Sequence, residues 1–320
     1  MTTRRAWLLS TAALATVPRL SLAQAYPGRP VKVIVPFPPG GSSDLVARTL
    51  APRLGDLLGQ QVLIDYRGGA GGSIGAAEVA HAAPDGYTLL QVWDTHAINH
   101  HLYKVSYDFE KSFEPVSLLV QAPGILVAHP DFKPSTVKEL IELAKANPGK
   151  VTYGTAGAGS SNHLSAELFS AMAGVKMTHV PYRGGGPLMT DLLGGHIDIA
   201  FGTLPFFDQQ VRAGKLKPIA VLTKERLAQT PNLPAAWETL PGFEAKTWFG
   251  LLAPAGTPKD IVTRLHREVV KALDDEKVRT QLVALGFEPV GSTPDAFAGF
   301  LREQSDAAGR TVRSAGIKVD

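Results

Sequence analysis

The chain has 320 residues, 44% of them hydrophobic and 19% charged, with 32 Gly, 24 Pro and no Cys; that length can bury a substantial core in about two domains without disulfide staples. The lack of cysteine excludes disulfides, thiolate metal sites and a cysteine nucleophile. The formal charge of +3 is carried by Arg4, Arg5 and Arg19 in an acid-free start; the remaining 29 Lys and Arg balance 29 Asp and Glu, so no nucleic-acid partner is expected.

Residues 1–25 read as an export signal: basic Arg4-Arg5, an apolar run from Ala6 to Val17, and Ala23-Gln24-Ala25 before Tyr26. The paired arginines leave both the general secretory and the twin-arginine routes open. Neither this run nor any later stretch reaches the roughly 20 apolar residues of a membrane span, so the mature chain is not expected to insert in a membrane.

Val31 to Val35 is an apolar strand, followed by PFPPGGSSD (Pro36 to Asp44) and an amphipathic segment, Leu45 to Leu58. This is a strand, a tight glycine turn and a helix N-terminus. The first N–H groups of a helix lack intrahelical partners and carry partial positive charge, so such a junction is a ready anion site. Gly40 and Gly41 permit close approach to the backbone, and Ser42, Ser43 or Asp44 is the candidate N-cap. A capped helix with no ligand is the alternative that this loop alone leaves open.

Gln61 to Tyr66 reads as a second strand, Gly68 to Gly75 as a glycine loop, Ile74 to Ala83 as a helix and Tyr87 to Trp93 as a third strand after the turn Pro84-Asp85-Gly86. The alternation predicts a mostly parallel, helix-covered sheet. The loop from Gly69 to Gly75, with Asp94 ending the next strand, mimics a dinucleotide fingerprint. Its spacing is G-x-G-x-x-x-G, however, and it follows the second strand. A tight structural turn is preferred, with an exported NAD(P)-dependent oxidoreductase as the alternative.

A short helix spans Ala97 to Tyr103. His96, His100 and His101 invite a metal reading, but no acidic residue stands at zincin-like spacing and His100 and His101 face different ways; no metal is expected. Two β-like runs, Val116 to Val120 and Ile125 to His129, flank Pro123-Gly124, the candidate first crossover. The pattern then restarts with helix Ser135 to Ala146, opened by the capping-box pair Thr136 and Glu139. Strand Val151–Gly154, helix His163–Ala173, strand Lys176–Val180, helix Pro187–Leu193, strand Ile197–Gly202, helix Phe206–Ala213 and strand Leu216–Leu222 follow. Pro187 suits the first helical position, and Arg183 before it reads as a surface residue.

Within this unit, Thr155 to His163 (TAGAGSSNH) repeats the opening theme of strand, glycine turn, paired serines and helix. Facing one another, the two junctions would hold a carboxylate between two positive helix ends, with hydroxyl donors and no arginine. Ser42, Ser43, Ser160 and Ser161 stand in neither G-x-S-x-G nor S-x-x-K, so no catalytic residue is expected. After a proline-rich stretch, Trp248 to Ala253 is the return crossover, and the helices Pro258–Ala272, Lys277–Leu285 and Pro294–Ala315 are expected to pack back on the first unit.

PFPPGGSSDLVAR, RGGAGGSIGAAEVAHAAPDGYTLL, THAIN, YGTAGAGSSNHLSAELF, HVPYRGGGP, DLLGGHIDIAFG, AVLTKERL, WFGLLAPAGTP and the terminal AGIKVD, in this order from Tyr26 to Asp320, resemble the tripartite tricarboxylate transporter substrate-binding proteins, the Bug receptors. The resemblance implies a periplasmic binding protein of type II: an α/β fold with two lobes, residues 26–123 plus 248–320 and residues 124–247, closing over one small ligand. It implies a periplasmic, non-enzymatic monomer without cofactor that serves a membrane transporter, a sensor kinase being the alternative partner. By position, the first ligand loop falls on Phe37, Pro39, Gly40, Gly41, Ser43 and Asp44. The second falls on Thr155, Ala156, Gly159, Ser160, Ser161 and His163, with further contacts at Asp94, Thr95 and Thr203. The implied ligands are di- and tricarboxylates, amino acids or aromatic acids.

Two positions depart from the family: Trp93-Asp94 stands where members often have small residues, and Gly309 where they have tryptophan. If Asp94 points into the cleft, its charge repels a second ligand carboxylate and favours a cationic group; otherwise it caps the segment that follows.

Overall fold

The computed structural model describes residues 26–315; the expected export leader lies outside them. Apolar alternation builds the first half. In β1 (Val31–Val35), Val31, Val33 and Val35 face one core while Ile34 faces another, as a strand covered on both faces requires. α1 (Ser42–Leu58) buries Val46, Leu50, Leu54 and Leu58, spaced four apart, and ends on Gly59 in the left-handed conformation. Each buried leucine contributes roughly 1.5–3 kcal/mol. β2 (Val62–Tyr66), α2 (Ser73–Ala80), β3 (Thr88–Trp93) and α3 (His96–Leu102) follow, with β2 and β3 both parallel to β1.

β4 (Phe113–Ala128) is one continuous strand of 16 residues where two runs were expected. Pro123-Gly124 does not interrupt it, because this is where its partners change. Residues 113–123 pair antiparallel with β9 (Lys246–Pro254), and residues 124–128 pair with β7 (Ile199–Thr203) and β8 (Lys217–Val221). The sheet runs β2-β1-β3-β9-β4-β7-β5-β6, with β8 and β10 (Glu288–Pro289) also on β4.

The second half holds α4 (Val137–Ala146), β5 (Thr152–Thr155), α5 (Ser161–Ala173), β6 (Thr178–Pro181), α6 (Gly185–Leu193) and α7 (Leu204–Arg212). β5 is parallel to β6 and β7. Leu126, Tyr153, Phe169 and Phe201 fill one face of this part of the sheet, and Ile125, Leu188 and Phe207 the other. The expected box at α4 is present: Thr136 Oγ1 accepts from the Glu139 N–H at 3.2 Å, and Glu139 reaches back to the Ser135 N–H at 2.7 Å.

α6 starts two residues before Pro187, at Gly185, because Gly184 with φ +98° makes the turn. α8 (Lys259–Asp274) packs on α1 and β4, and α9 (Glu276–Ala284) on α1. α10 (Pro294–Ala315) packs on α3 and β4 and also touches α5 of the second half.

Candidate functional site

The first junction is locked by Asp44 rather than capped by a serine. Gly41 is the N-cap of α1, with extended backbone and no side-chain cap. From the first turn, Asp44 Oδ2 accepts the Gly40 N–H at 2.9 Å, and Oδ1 accepts from Arg48 Nε at 2.6 Å and from the Tyr66 hydroxyl. Burial works against its charge, but the Tyr66, Gly40 and Arg48 hydrogen bonds hold its carboxyl below the usual range. The charge is thus spent on holding the glycine turn, and the N–H groups of Ser42 and Ser43 remain at the helix start.

The second junction has a different lock. Ser160 caps α5, its Oγ accepting from the His163 N–H and donating to the Gly157 carbonyl at 2.7 Å. His163 Nδ1 accepts the Gly159 N–H at 3.1 Å, and its ring stacks on His179 at 4.0 Å. His179 Nε2 contacts Thr155 Oγ1 at 2.7 Å, and Glu167, which accepts from the Tyr153 hydroxyl, lies 3.9 Å from His163 Nε2. Burial and the His163 ring push His179 down to about 4, so it is neutral near pH 7. This buried network sets the shape of residues 155–163 from behind.

The two junctions meet. A cavity of ≈ 30 Å³ is lined by Phe37, Pro38, Gly41, Ser42, Ser43 and Trp93 from the first half, and by Ala156, Asn162, Gly185, Leu188, Thr203 and Phe206 from the second. Ser42 and Ser43 open α1, Asn162 lies in the first turn of α5, Gly185 opens α6 and Thr203 is the N-cap of α7. Four helix N-termini therefore face one space, and among the described residues no charged side chain lines it. Ser42 Oγ and Thr203 Oγ1 share a 2.6 Å hydrogen bond across it. Beside it the Tyr103 hydroxyl donates to the Ala158 carbonyl, and Ser161 N–H to Thr95 Oγ1 at 3.3 Å. A larger depression, ≈ 780 Å³, runs along the outside of α1 and the edge strand β2; no helix start opens into it, so it offers an anion nothing comparable.

Of the expected contact residues, Phe37, Gly41, Ser43, Ala156 and Thr203 line the cavity. Pro39, Gly40, Asp44, Thr155, Gly159, Ser160, Ser161 and His163 are not among its lining and shape or flank the two loops; Thr95 joins them through Ser161. Asp94 lies elsewhere: it is buried at the base of a groove of ≈ 350 Å³ among α3, α5, α10 and β9, with Lys246 and Glu244 along the same groove. Burial pushes its carboxyl up to about 8 against the opposing hydrogen bonds of Ser161, Thr95 and Thr247, and its Oδ1 has no partner. Asp94 is not among the residues that line the cavity, and its burial disfavours the charged form that selection by repulsion requires.

Gly185, Leu188 and Phe206 were not expected in the lining; Pro38, Ser42 and Asn162 lie within the two expected loops without being named as contacts, and Trp93 was singled out only as a departure from the family. Ser42 and Asn162 carried a signal, being next to chosen loop residues; Leu188 and Phe206 carried none, since only the packing of α6 and α7 brings them here. The loop at Gly69 to Gly75 is filled by the protein itself. A Cβ on Gly71 would lie 2.8 Å from Asn99 Oδ1, and one on Gly72 3.2 Å from the Phe37 ring. Its glycines serve close packing behind the Phe37 turn, so the dinucleotide alternative loses its footing. His96 and His100 sit in an aromatic cluster with Tyr107, Phe109 and Phe113; burial and histidine neighbours push them down to about 3 and 4. Among the described residues, no group of three or more His, Cys, Asp or Glu is arranged to hold a metal.

Comparison with known proteins adds four likenesses. Residues 46–317 match the family described as "Tripartite tricarboxylate transporter family receptor". The chain is 38% identical to Protein BugT of Bordetella pertussis over 93% of its own length and 92% of that protein. Its fold is similar to the periplasmic binding protein BugD, with a TM-score of 0.87 at 36% identity, over 92% of this chain and 99% of that one. The R. palustris protein Rpa4515 with adipate gives a TM-score of 0.88 at 35% identity, over 92% and 99%.

Proposed function

The chain belongs to the tripartite tricarboxylate transporter family of receptors, and from that premise we propose that it is a periplasmic, non-enzymatic receptor that captures a small carboxylate between its two halves and delivers it to the membrane subunits of such a transporter. One observation carries the reading: the N-termini of α1, α5, α6 and α7 face a single cavity lined by neutral groups. Helix N–H groups and hydroxyls hold an anion by hydrogen bonds and aligned dipoles without a fixed counter-charge. A carrier gains from that arrangement, because the carboxylate is bound yet leaves no unpaired cation buried when it departs. The similar protein bound to adipate supports the same ligand chemistry.

The halves act as lobes. A cavity of ≈ 30 Å³ has room for about one water, so an acid enters only when the halves part, and the cross-cleft Ser42–Thr203 contact re-forms around it. The hinges are the two passages of the chain between halves, at Pro123-Gly124 in β4 and near Ala245 entering β9. All the lining residues belong to one chain, which supports our reading of the receptor as a monomer, exported by its 25-residue leader.

Calorimetry of the purified protein against a panel of mono- and dicarboxylates, with the matching amides as controls, tests the reading. Saturable binding of at least one acid with no binding of its amide is expected; a panel in which no carboxylate binds overturns it.

A further inference from the structure

The polar part of the cavity is compact. Ser42 Oγ of α1 and Thr203 Oγ1 at the start of α7 are 2.6 Å apart, and a Cβ on Gly185 of α6 would stand 3.5 Å from Gly41 Cα. Three helix N-termini thus converge on one patch, with Asn162 as the remaining polar side chain of the second half. Apart from Ser43, the remaining lining is apolar and half of it aromatic: Phe37, Trp93, Phe206, Leu188, Ala156 and Pro38.

These rings are held in place. Trp93 is buried, meets Phe37 edge-on at 4.8 Å and 72°, and stacks on the fully buried Phe249 at 6.2 Å and 10°. Phe206 meets Phe207 edge-on at 4.7 Å, and its ring would stand 2.9 Å from a Cβ on Gly185.

Resting on the receptor reading above, we propose that the acid taken here is a monocarboxylate with a ring-shaped, largely apolar body, and that Trp93 is the residue that selects it. One carboxylate fits the patch where α1, α6 and α7 meet. A second would have to leave water for a wall of rings with no charged partner, which is costly. A ring, by contrast, gains edge and face contacts with Trp93, Phe37 and Phe206. The selectivity is for one charge and one ring, set by a side chain on β3 rather than by the glycine loops.

The test is calorimetry of the purified protein with benzoate and cyclohexanecarboxylate against succinate and adipate, repeated for Trp93→Phe and Trp93→Ala, with far-ultraviolet circular dichroism to check the fold. The ring acids are expected to bind at least tenfold tighter than both dicarboxylates. Trp93→Ala should lose at least tenfold for the ring acids and leave the dicarboxylates within about threefold, while Trp93→Phe keeps most of the ring-acid affinity. Tighter binding of succinate or adipate overturns this selectivity and leaves the receptor reading standing; binding of no acid overturns both. An equal loss for both kinds of acid in a folded Trp93→Ala reduces Trp93 to a structural residue and overturns its role. Should Trp93→Ala not fold, the wild-type selectivity and Trp93→Phe still decide the matter.

Discussion

Asp94 closes β3 beside the cleft yet turns away from it, into a pocket of hydroxyls from Thr95, Ser161 and Thr247. An acid whose pKa is raised on folding, here to about 8, binds its proton more tightly in the folded chain. Its cost is absent below about pH 4, grows as the pH rises from there to about 8, and is then constant. Lys246 and Glu244, along the same groove, are partly screened by water and shift this window little. Asp94→Asn removes the ionisable proton while keeping the shape, so thermal unfolding should show the variant gaining on the wild type by on the order of 5 °C between pH 5 and pH 8. An unchanged difference between the two pH values would mean the carboxyl ionises at its ordinary value. Nothing in the local sequence marks Asp94 as neutral, because desolvation comes from α5, α10 and β9, far from it in the chain.

At the scale of elements, the helix starts carry the chemistry, and their legibility differs. The glycine-serine starts of α1 and α5 are plain in the sequence, since capping and tight turns depend on residues within a few positions of each other. Gly41 lines the cavity, has ordinary extended backbone, and has nothing within 4 Å of where its Cβ would lie. Gly41→Val should therefore fold with an unfolding temperature near that of the wild type. Its branched side chain would occupy the anion patch, and calorimetry should show roughly a hundredfold loss of ligand affinity, about 2.7 kcal/mol. Thr136→Ala makes the reverse case: losing the α4 cap costs about 1 kcal/mol in denaturant unfolding and should leave affinity unchanged, because α4 has no residue in the cavity wall. The starts of α6 and α7 were readable as helices, but only Thr203 was expected at the site, through the family resemblance and not as a helix start. Gly184 rather than Pro187 sets where α6 begins, and α7 enters through the hydroxyl of Thr203, which reaches Ser42 across the cleft.

For the molecule as a whole, the decisive place is Gly124. Its N–H donates to the Ala245 carbonyl at 3.0 Å and its carbonyl accepts from the Leu222 N–H at 2.8 Å, so three segments cross here at backbone distance. A Cβ on Gly124 would stand 2.5 Å from the Ala245 oxygen. Gly124→Val should cost roughly 2–3 kcal/mol in stability. By forcing the crossing segments apart it should also favour the parted halves, which small-angle X-ray scattering would register as a larger radius of gyration and a smaller contraction on adding ligand. A normal contraction would place the hinge elsewhere. The α/β class, the strands and helices to within a few residues, and the two paired glycine-serine loops were legible locally, because periodicity, turns and caps act over a handful of neighbours. Long-range packing was needed to make β4 one strand serving both halves and to bring four helix starts rather than two to the cavity. It likewise placed Trp93 and Phe206 on the wall and Asp94 behind it. Those outcomes depend on which distant segments pack together, and the burial and contacts that define them exist only once the chain has closed on itself.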